Sequence, residues 1–242
     1  MSIRAARIIA SLDMLAEQEH AHRPGRDYLG ASVIGHACDA YCAMDMRGWP
    51  TRKKAATIRA GKLGHVIEAM LIAELKDVGL EVTTVDPATG QQFEYTSHDG
   101  RFRCHLDGLI VISGETYVLE LKSAKHSRFL KMKGKNLRES DRLYYDQVTT
   151  AMGMSEVHQA VFIVRDKDTG ETHCEIVALD PFHWSYVTTK IDRILNGDCQ
   201  KISNTPDYWR CKQCDRAIWC WGKGPPPGCG SWIPQERTDA RS

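Results

Sequence analysis

The stretch from Arg103 to Ser123, Arg-Cys-His-Leu-Asp-Gly-Leu-Ile-Val-Ile-Ser-Gly-Glu-Thr-Tyr-Val-Leu-Glu-Leu-Lys-Ser, decides how this chain folds. Two runs rich in β-branched and aromatic residues flank Ser113-Gly114, and such a pair between such runs signals a hairpin. If Ser113 and Gly114 are the whole loop, Ile112 pairs with Glu115 and, five steps along, Asp107 faces Glu120. Their Cβ atoms are then about 5 Å apart on one face of the sheet. Lys122, two residues beyond Glu120, points to the same face.

Carboxylates opposed across a ladder repel each other unless positive charge sits between them. Hard oxygen donors suit Mg²⁺ or Mn²⁺, which activate water and stabilise charge on a phosphate under attack. The bland alternative is an exposed sheet face on which Lys122 screens both acids. The rest of the chain has to decide between them.

Upstream, residues 57–76 carry Leu63, Val66, Ile67, Met70, Leu71 and Leu75 at spacings of three and four, the pattern of a packed helix. Gly61, His65 and Glu68 fall on another stripe. His65 and Glu68, three apart, reach one metal ion or form a surface pair, and Gly61 and Gly64 suggest a close approach of backbone or ligand. An amphipathic helix is expected over residues 3–22, with Ile8, Leu12 and Leu15 on its apolar stripe. Short strands are expected at 80–85 and 91–95.

Downstream, Lys125, Arg128, Lys131, Lys133, Lys135 and Arg138 occur with no acid until Glu139, interleaved with Phe129 and Met132. Starting where the second hairpin strand ends, this run draws a nucleic-acid backbone toward the proposed metal, or is a solvated loop. A helix over 140–154, strands at 157–164 and 172–179 and a helix over 181–195 complete a mixed sheet with helices on both faces.

The chain has 242 residues, 42% of them hydrophobic, enough for an α/β core with an appendage. Its net charge of +1 excludes binding driven by a global basic excess, so nucleic-acid affinity must come from a local patch. Asp13 and Glu17 interrupt the apolar N-terminal run far short of a signal core or membrane span, which places the protein in the cytoplasm.

Nine cysteines, an odd number, argue for metal ligation over disulfides in a reducing compartment. Cys211-Lys212-Gln213-Cys214 with Cys220 five residues on, set among Tyr208, Trp209, Trp219 and Trp221, is the spacing of a zinc or iron-sulfur centre. The fourth ligand is Cys38, from the Cys38…Cys42 pair, or Cys229. Cys104, Cys174 and Cys199 read as buried small residues.

Together these motifs resemble the RecB-like branch of the PD-(D/E)XK nuclease superfamily that carries an iron-sulfur cluster, including CRISPR-adaptation nucleases and phage-borne RecB-like exonucleases. The resemblance covers about residues 31–221. Gly61 and His65 match its G-x3-H motif, Asp107 its metal aspartate, Glu120 and Lys122 its E-x-K, and Cys38, Cys211, Cys214 and Cys220 its cluster ligands. Gln147 matches its following helix, although Ala151 stands where Tyr is expected and Tyr144 is one turn earlier; Ala40 replaces a common Arg.

The resemblance implies a restriction-endonuclease-like α/β core, a central mixed sheet flanked by helices, with a [4Fe-4S] cluster joining the N- and C-terminal segments. It divides the chain into an N-terminal helix (1–30), a nuclease domain (31–221) and a flexible tail (222–242). His65, Asp107, Glu120 and the Leu121 carbonyl would hold Mg²⁺ or Mn²⁺, with Glu68 near; the His ligand favours Mn²⁺. Lys122 and Gln147 would assist catalysis, and the basic run with Tyr144 would bind DNA. The implied function is a metal-dependent exonuclease on single-stranded DNA or DNA ends in phage recombination or DNA processing, or a CRISPR-adaptation nuclease trimming spacer precursors. No helicase motif is present, so a helicase, recombinase or CRISPR integration protein would be a partner. A reading of another class is a zinc-stapled DNA-binding protein without catalysis.

Overall fold

A computed structural model describes residues 2–225. In chain order its elements are α1 (Ile3–Ala21), β1 (Leu29–Gly30), α2 (Ala31–Ile34), α3 (Asp39–Met46), α4 (Ala55–Asp77), β2 (Glu81–Thr83), β3 (Glu94–Ser97), β4 (Phe102–His105), β5 (Gly108–Ile112) and β6 (Glu115–Ala124). There follow α5 (His126–Lys133), α6 (Leu137–Ser140), α7 (Arg142–Ser155), β7 (Gln159–Asp166), β8 (Thr172–Ala178), α8 (Pro181–Leu195), α9 (Trp209–Lys212) and a π-helical turn, Trp219–Lys223. Two compact units result. One takes residues 28–37 and 66–198, the other 2–27, 38–65 and 199–225 of the described chain.

The larger unit is built on the hairpin. Ser113 and Gly114 both have positive φ, 52° and 84°, the requirement of the two-residue type I′ turn that matches strand twist. The ladder runs from Ile112↔Glu115 to Gly108↔Leu119, the register expected from the loop. Left-handed backbone costs a serine about 1 kcal/mol. Ser113→Asn, which tolerates that conformation, should raise stability by about 0.5–1 kcal/mol in denaturant melts.

Strand β6 is central to a five-stranded sheet of order β2-β5-β6-β7-β8. It pairs antiparallel with β5 and parallel with β7, and helices α5 to α7 supply the crossover that parallel neighbours require. Its odd residues Leu119 and Leu121 are fully buried against Ile67 and Leu71 of α4, with Val82, Ile110, Val161 and Ile163. Burying each leucine contributes about 1.5–3 kcal/mol. Its even residues Glu120 and Lys122 therefore lie on the opposite face.

Several expectations are corrected. The run 103–112 is not one strand: β4 belongs to a separate three-stranded sheet, β1-β4-β3, and the chain changes sheets at Leu106-Asp107. There are thus two sheets in place of one. Most of the basic run is no loop, because Phe129 and Met132 are buried and fix residues 126–133 as helix α5, while Arg138 falls in α6. Cys104 and Cys199 are buried as expected, but Cys174 is exposed. A Cβ at Gly61 would meet no described protein atom within 4 Å, so no neighbouring backbone explains that glycine.

In the smaller unit, Arg59 pairs with Asp13 at 2.7 Å and Lys62 with Glu19, joining α1 to the first part of α4 over Ala16, Ala55 and Ile58. The apolar stripe of α1 faces outward: Ile8, Leu12 and Leu15 are all more than half exposed. Periodicity establishes that a helix has an apolar face, not that anything covers it. Arg216 ties the C-terminal segment to residues 41–49, its Nη2 2.6 Å from Asp45 Oδ1, its Nε donating to the Trp49 carbonyl, its guanidinium 4.4 Å from the Tyr41 ring centre. No helix among the described residues is long and apolar enough to cross a membrane.

Candidate active site and cysteine cluster

Asp107 stands one residue beyond the last ladder pair, so it does not face Glu120 as a cross-strand partner. Its Oδ2 instead accepts the Leu121 N–H at 2.7 Å, closing the edge left when the chain departs for the other sheet. Glu120, 1% exposed on β6, is gripped from two sides. Gln147 Nε2 of α7 donates to its Oε1 at 2.6 Å, and the Lys122 ammonium pairs with the same oxygen. Lys122 Nζ also lies 3.7 Å from Asp107 Oδ2 and donates to the Leu121 carbonyl at 3.0 Å.

The space between the two acids is therefore filled by Lys122, as the bland reading had it, but on a buried face. Burial, partly offset by Lys122 and reinforced by Asp107 and Glu68, pushes the Glu120 carboxyl up to about 7. Burial alone would lower the lysine, yet Glu120 and Asp107 hold it above the ordinary range. Glu68, half-buried on α4, acts on both Glu120 and Lys122. His65 lies exposed three residues before it, at the end of the 38–65 segment of the smaller unit.

Removing the lysine should be costly. Lys122→Met leaves two acids without their counter-charge, and metal-free unfolding stability should fall by about 3 kcal/mol at pH 8. The loss should be smaller at pH 5, where Glu120 takes up a proton. Denaturant melts in chelator at both pH values check this.

One oxygen of Glu120, Oε2, is buried without a hydrogen-bond partner. An orphaned carboxylate oxygen beside Asp107 and Glu68 is what a divalent cation would satisfy, and the donor set is of the hard kind such ions take. Among the described residues, no group of three or more His, Cys, Asp or Glu side chains is arranged to hold a metal ion as placed. With Lys122 between the acids, metal entry requires that ammonium to move.

The basic run divides by partner. Arg128 pairs with Asp141 at 2.7 Å, Lys133 with Glu171, and Arg138 with Asp180 at 2.9 Å. Lys125, Lys131 and Lys135 are exposed and carry no ion pair among the described residues. The Tyr144 ring sits between the two cations nearest the acids, 4.1 Å from the Arg128 guanidinium and 5.7 Å from Lys122 Nζ. Asp141 was not singled out from the sequence. It holds Arg128 and accepts the Tyr144 N–H at 3.2 Å as the cap of α7, and an Asp just before an apolar helical run is the signal for that second role.

In the smaller unit, Cys38, Cys211, Cys214 and Cys220 act on one another. The Cys220 thiol is pushed up to about 12 by burial, eased by Lys201 and reinforced by Cys38, Cys214 and Cys211. Burial likewise raises Cys38, eased by the backbone of Tyr41, Ile202 and Ala40, and Cys214, which accepts the Arg216 N–H at 3.4 Å. Without a metal, burial thus keeps these thiols protonated, and ligation would require their deprotonation. The Arg216 N–H at Cys214 leaves no trace in the sequence. Cys42 is fully buried, and Cys229 and the rest of 226–242 lie outside the described residues.

No protein-family profile matches the chain. No curated protein matches it either. Among solved structures, its fold is that of LHK-Exo, an alkaline exonuclease from Laribacter hongkongensis, with a TM-score of 0.51 and 19% identity over 74% of this chain and 91% of that one. LHK-Exo in complex with dAMP aligns at 0.52, with 20% identity over 70% and 86%. SSO0001 aligns at 0.52, with 15% identity over 89% of this chain and 97% of its own. The chain thus has the mixed α/β fold of these proteins, mixed sheets flanked by helices.

Proposed function

We propose that the protein is a PD-(D/E)XK nuclease of the RecB-like branch, a metal-dependent exonuclease that hydrolyses DNA from its ends. The observation that carries this is Glu120: a buried carboxylate with one orphaned oxygen, oriented by Gln147, flanked by Asp107, Glu68 and Lys122, on the strand that leads into a basic helix. That LHK-Exo is an alkaline exonuclease, with a complex containing dAMP, favours exonuclease action over spacer trimming.

Asp107, Glu120, the Leu121 carbonyl and His65 would hold Mg²⁺ or Mn²⁺, with Glu68 beside them; the ion would polarise the phosphate and lower the pKa of water. Gln147 keeps Glu120 Oε1 in place, leaving Oε2 for the cation. Lys122 keeps its proton at neutral pH and, once clear of the acids, presents N–H donors to the attacking oxygen and the phosphate. Arg128, held by Asp141 through Nε and Nη2 and lying over the Tyr144 ring, keeps Nη1 for a phosphate contact beside it. Lys125, Lys131 and Lys135 draw in the strand, single-stranded or at a frayed end, with any unwinding left to a helicase or recombinase partner.

In the smaller unit, Cys38, Cys211, Cys214 and Cys220 would ligate a [4Fe-4S] cluster that staples the two ends of the chain. What supports this reading is the Cys211-x2-Cys214-x5-Cys220 spacing together with the electrostatic influence of these thiols and Cys38 on one another.

Product analysis tests the exonuclease reading. Linear DNA should yield mononucleotides while covalently closed circles survive; nicked circles or long fragments as first products would contradict it. Substituting Lys125, Lys131 and Lys135 together by Ala should lower the slope of log affinity against log salt by about 2–3, at 0.7–0.9 per lost phosphate contact. Lys133→Ala should do less, since Lys133 is already engaged by Glu171. Anisotropy titrations across a salt series read both.

A further inference from the structure

An open cavity of about 450 Å³ in the larger unit lies between Gly35 at the end of α2, Arg138 of α6, and helices α7 and α8. Arg138, Arg142 and Lys190 line it against two acids, Asp146 and Asp180. Both acids are already engaged by the protein. Asp146, 1% exposed, takes Arg142 Nε at 2.6 Å and His183 Nε2 at 2.7 Å on one oxygen. Asp180 caps α8 by accepting the N–H groups of Phe182 and His183 at 2.9 and 3.2 Å, and its other oxygen takes Arg138 Nη1 at 2.9 Å. The cavity is therefore no cation site.

The cations, in contrast, keep donors to spare. The Arg142 terminal nitrogens, and Arg138 Nε and Nη2, have no hydrogen-bond partner among the described residues. Arg142 lies 4.9 Å from the Tyr186 ring centre, and Tyr186 stacks on His183 at 5.8 Å, which fixes the plane of the guanidinium. Lys190, 4% exposed, is anchored by donating to the His36 carbonyl at 2.7 Å and adds a fixed charge from within. Two oriented forks beside a buried ammonium match the oxygens of a tetrahedral anion, and the volume admits a nucleotide-sized group.

We infer that this cavity is a phosphate-binding subsite, separate from the proposed catalytic carboxylates and fitted to a phosphodiester of the DNA backbone. Helix α7 connects the two places, since Gln147, next to Asp146, is the residue that donates to Glu120. The backbone assignment rests on the nuclease reading; the phosphate site itself does not.

The test uses the full chain in EDTA, so that neither metal nor cleavage enters. Inorganic phosphate should raise the melting temperature of the parent above that in chloride of equal ionic strength. Phosphate also stabilises folded proteins without a site, so the comparison is between proteins. Arg138→Gln with Arg142→Gln should lose the specific part of the shift, and Glu120→Gln should keep it whether or not that variant cleaves DNA. Should the double variant fail to fold, Arg138→Gln alone, at a largely exposed position, should halve the shift or more. In the DNA arm, a short single-stranded oligonucleotide should bind the variant about tenfold more weakly; unchanged DNA affinity together with a lost phosphate shift would assign the site to free phosphate or a mononucleotide. Equal phosphate shifts in parent and variants would overturn the inference.

Discussion

Glu120→Gln should lower DNA cleavage by roughly a thousandfold or more, because a metal-held phosphate loses several kcal/mol of transition-state stabilisation when a charged ligand becomes neutral. The same change should not weaken the metal-free protein at pH 8. Burial and Asp107 raise the folded-state carboxyl from 4.5 to about 7, so the folded protein binds this proton more tightly than the unfolded chain. Stability of the metal-free parent therefore carries a component present below pH 4.5 that is lost as pH rises to about 7. A neutral glutamine has no such loss: its pH profile should be flatter across that window, and at pH 8 it should match or exceed the parent. Mn²⁺ should then raise the parent's melting temperature and do much less for the variant. A Glu120→Gln protein that cleaves normally, or gains as much from Mn²⁺ as the parent, would remove Glu120 from the metal site.

Cys214→Ser should have the other large effect. Cys38 and Cys211 are far apart in sequence, and a cluster closing so long a loop restricts the unfolded chain strongly. Metal binding at such sites contributes on the order of 10 kcal/mol to folding, comparable to the whole stability of a domain. The variant should contain no iron and be largely insoluble, whereas Cys42→Ala and Cys229→Ser should keep iron close to parental content. Iron analysis and the visible spectrum of anaerobically purified protein decide it. Full iron in Cys214→Ser would exclude that thiol as a ligand; zinc in place of iron would make the staple a zinc site and leave the carboxylate chemistry untouched.

The hairpin and its register were legible because a two-residue turn and a two-residue side-chain period leave one pairing available. Helix α8 was legible for similar reasons, with Asp180 capping, Pro181 in the first turn and a periodic apolar face. The position of Asp107 was not. The alternation of Phe102, Cys104 and Leu106 continues smoothly to the point where the chain changes sheets, so nothing local marks the break. Deciding where β4 goes are its partners β1 and β3, and pairing between distant segments leaves no local pattern.

The partners of the site follow the same division. Lys122 beside Glu120 could be read from strand period, but Gln147 followed only from the family resemblance, because α7 is placed by the crossover. The engagement of Arg128, Lys133 and Arg138 by acids distant in sequence likewise had no local trace, and it leaves Lys125, Lys131 and Lys135 as the free cations of a run that looked uniform.

The most direct measurement is the time course of nucleotide release from linear DNA by the purified parent, in Mn²⁺, in Mg²⁺ and in EDTA at neutral to mildly alkaline pH. Mononucleotides should accumulate with either ion, faster with Mn²⁺, and not at all in chelator. Release that proceeds equally in EDTA, or none in either metal from protein with its full cluster content, would contradict a metal-dependent nuclease built on Asp107 and Glu120.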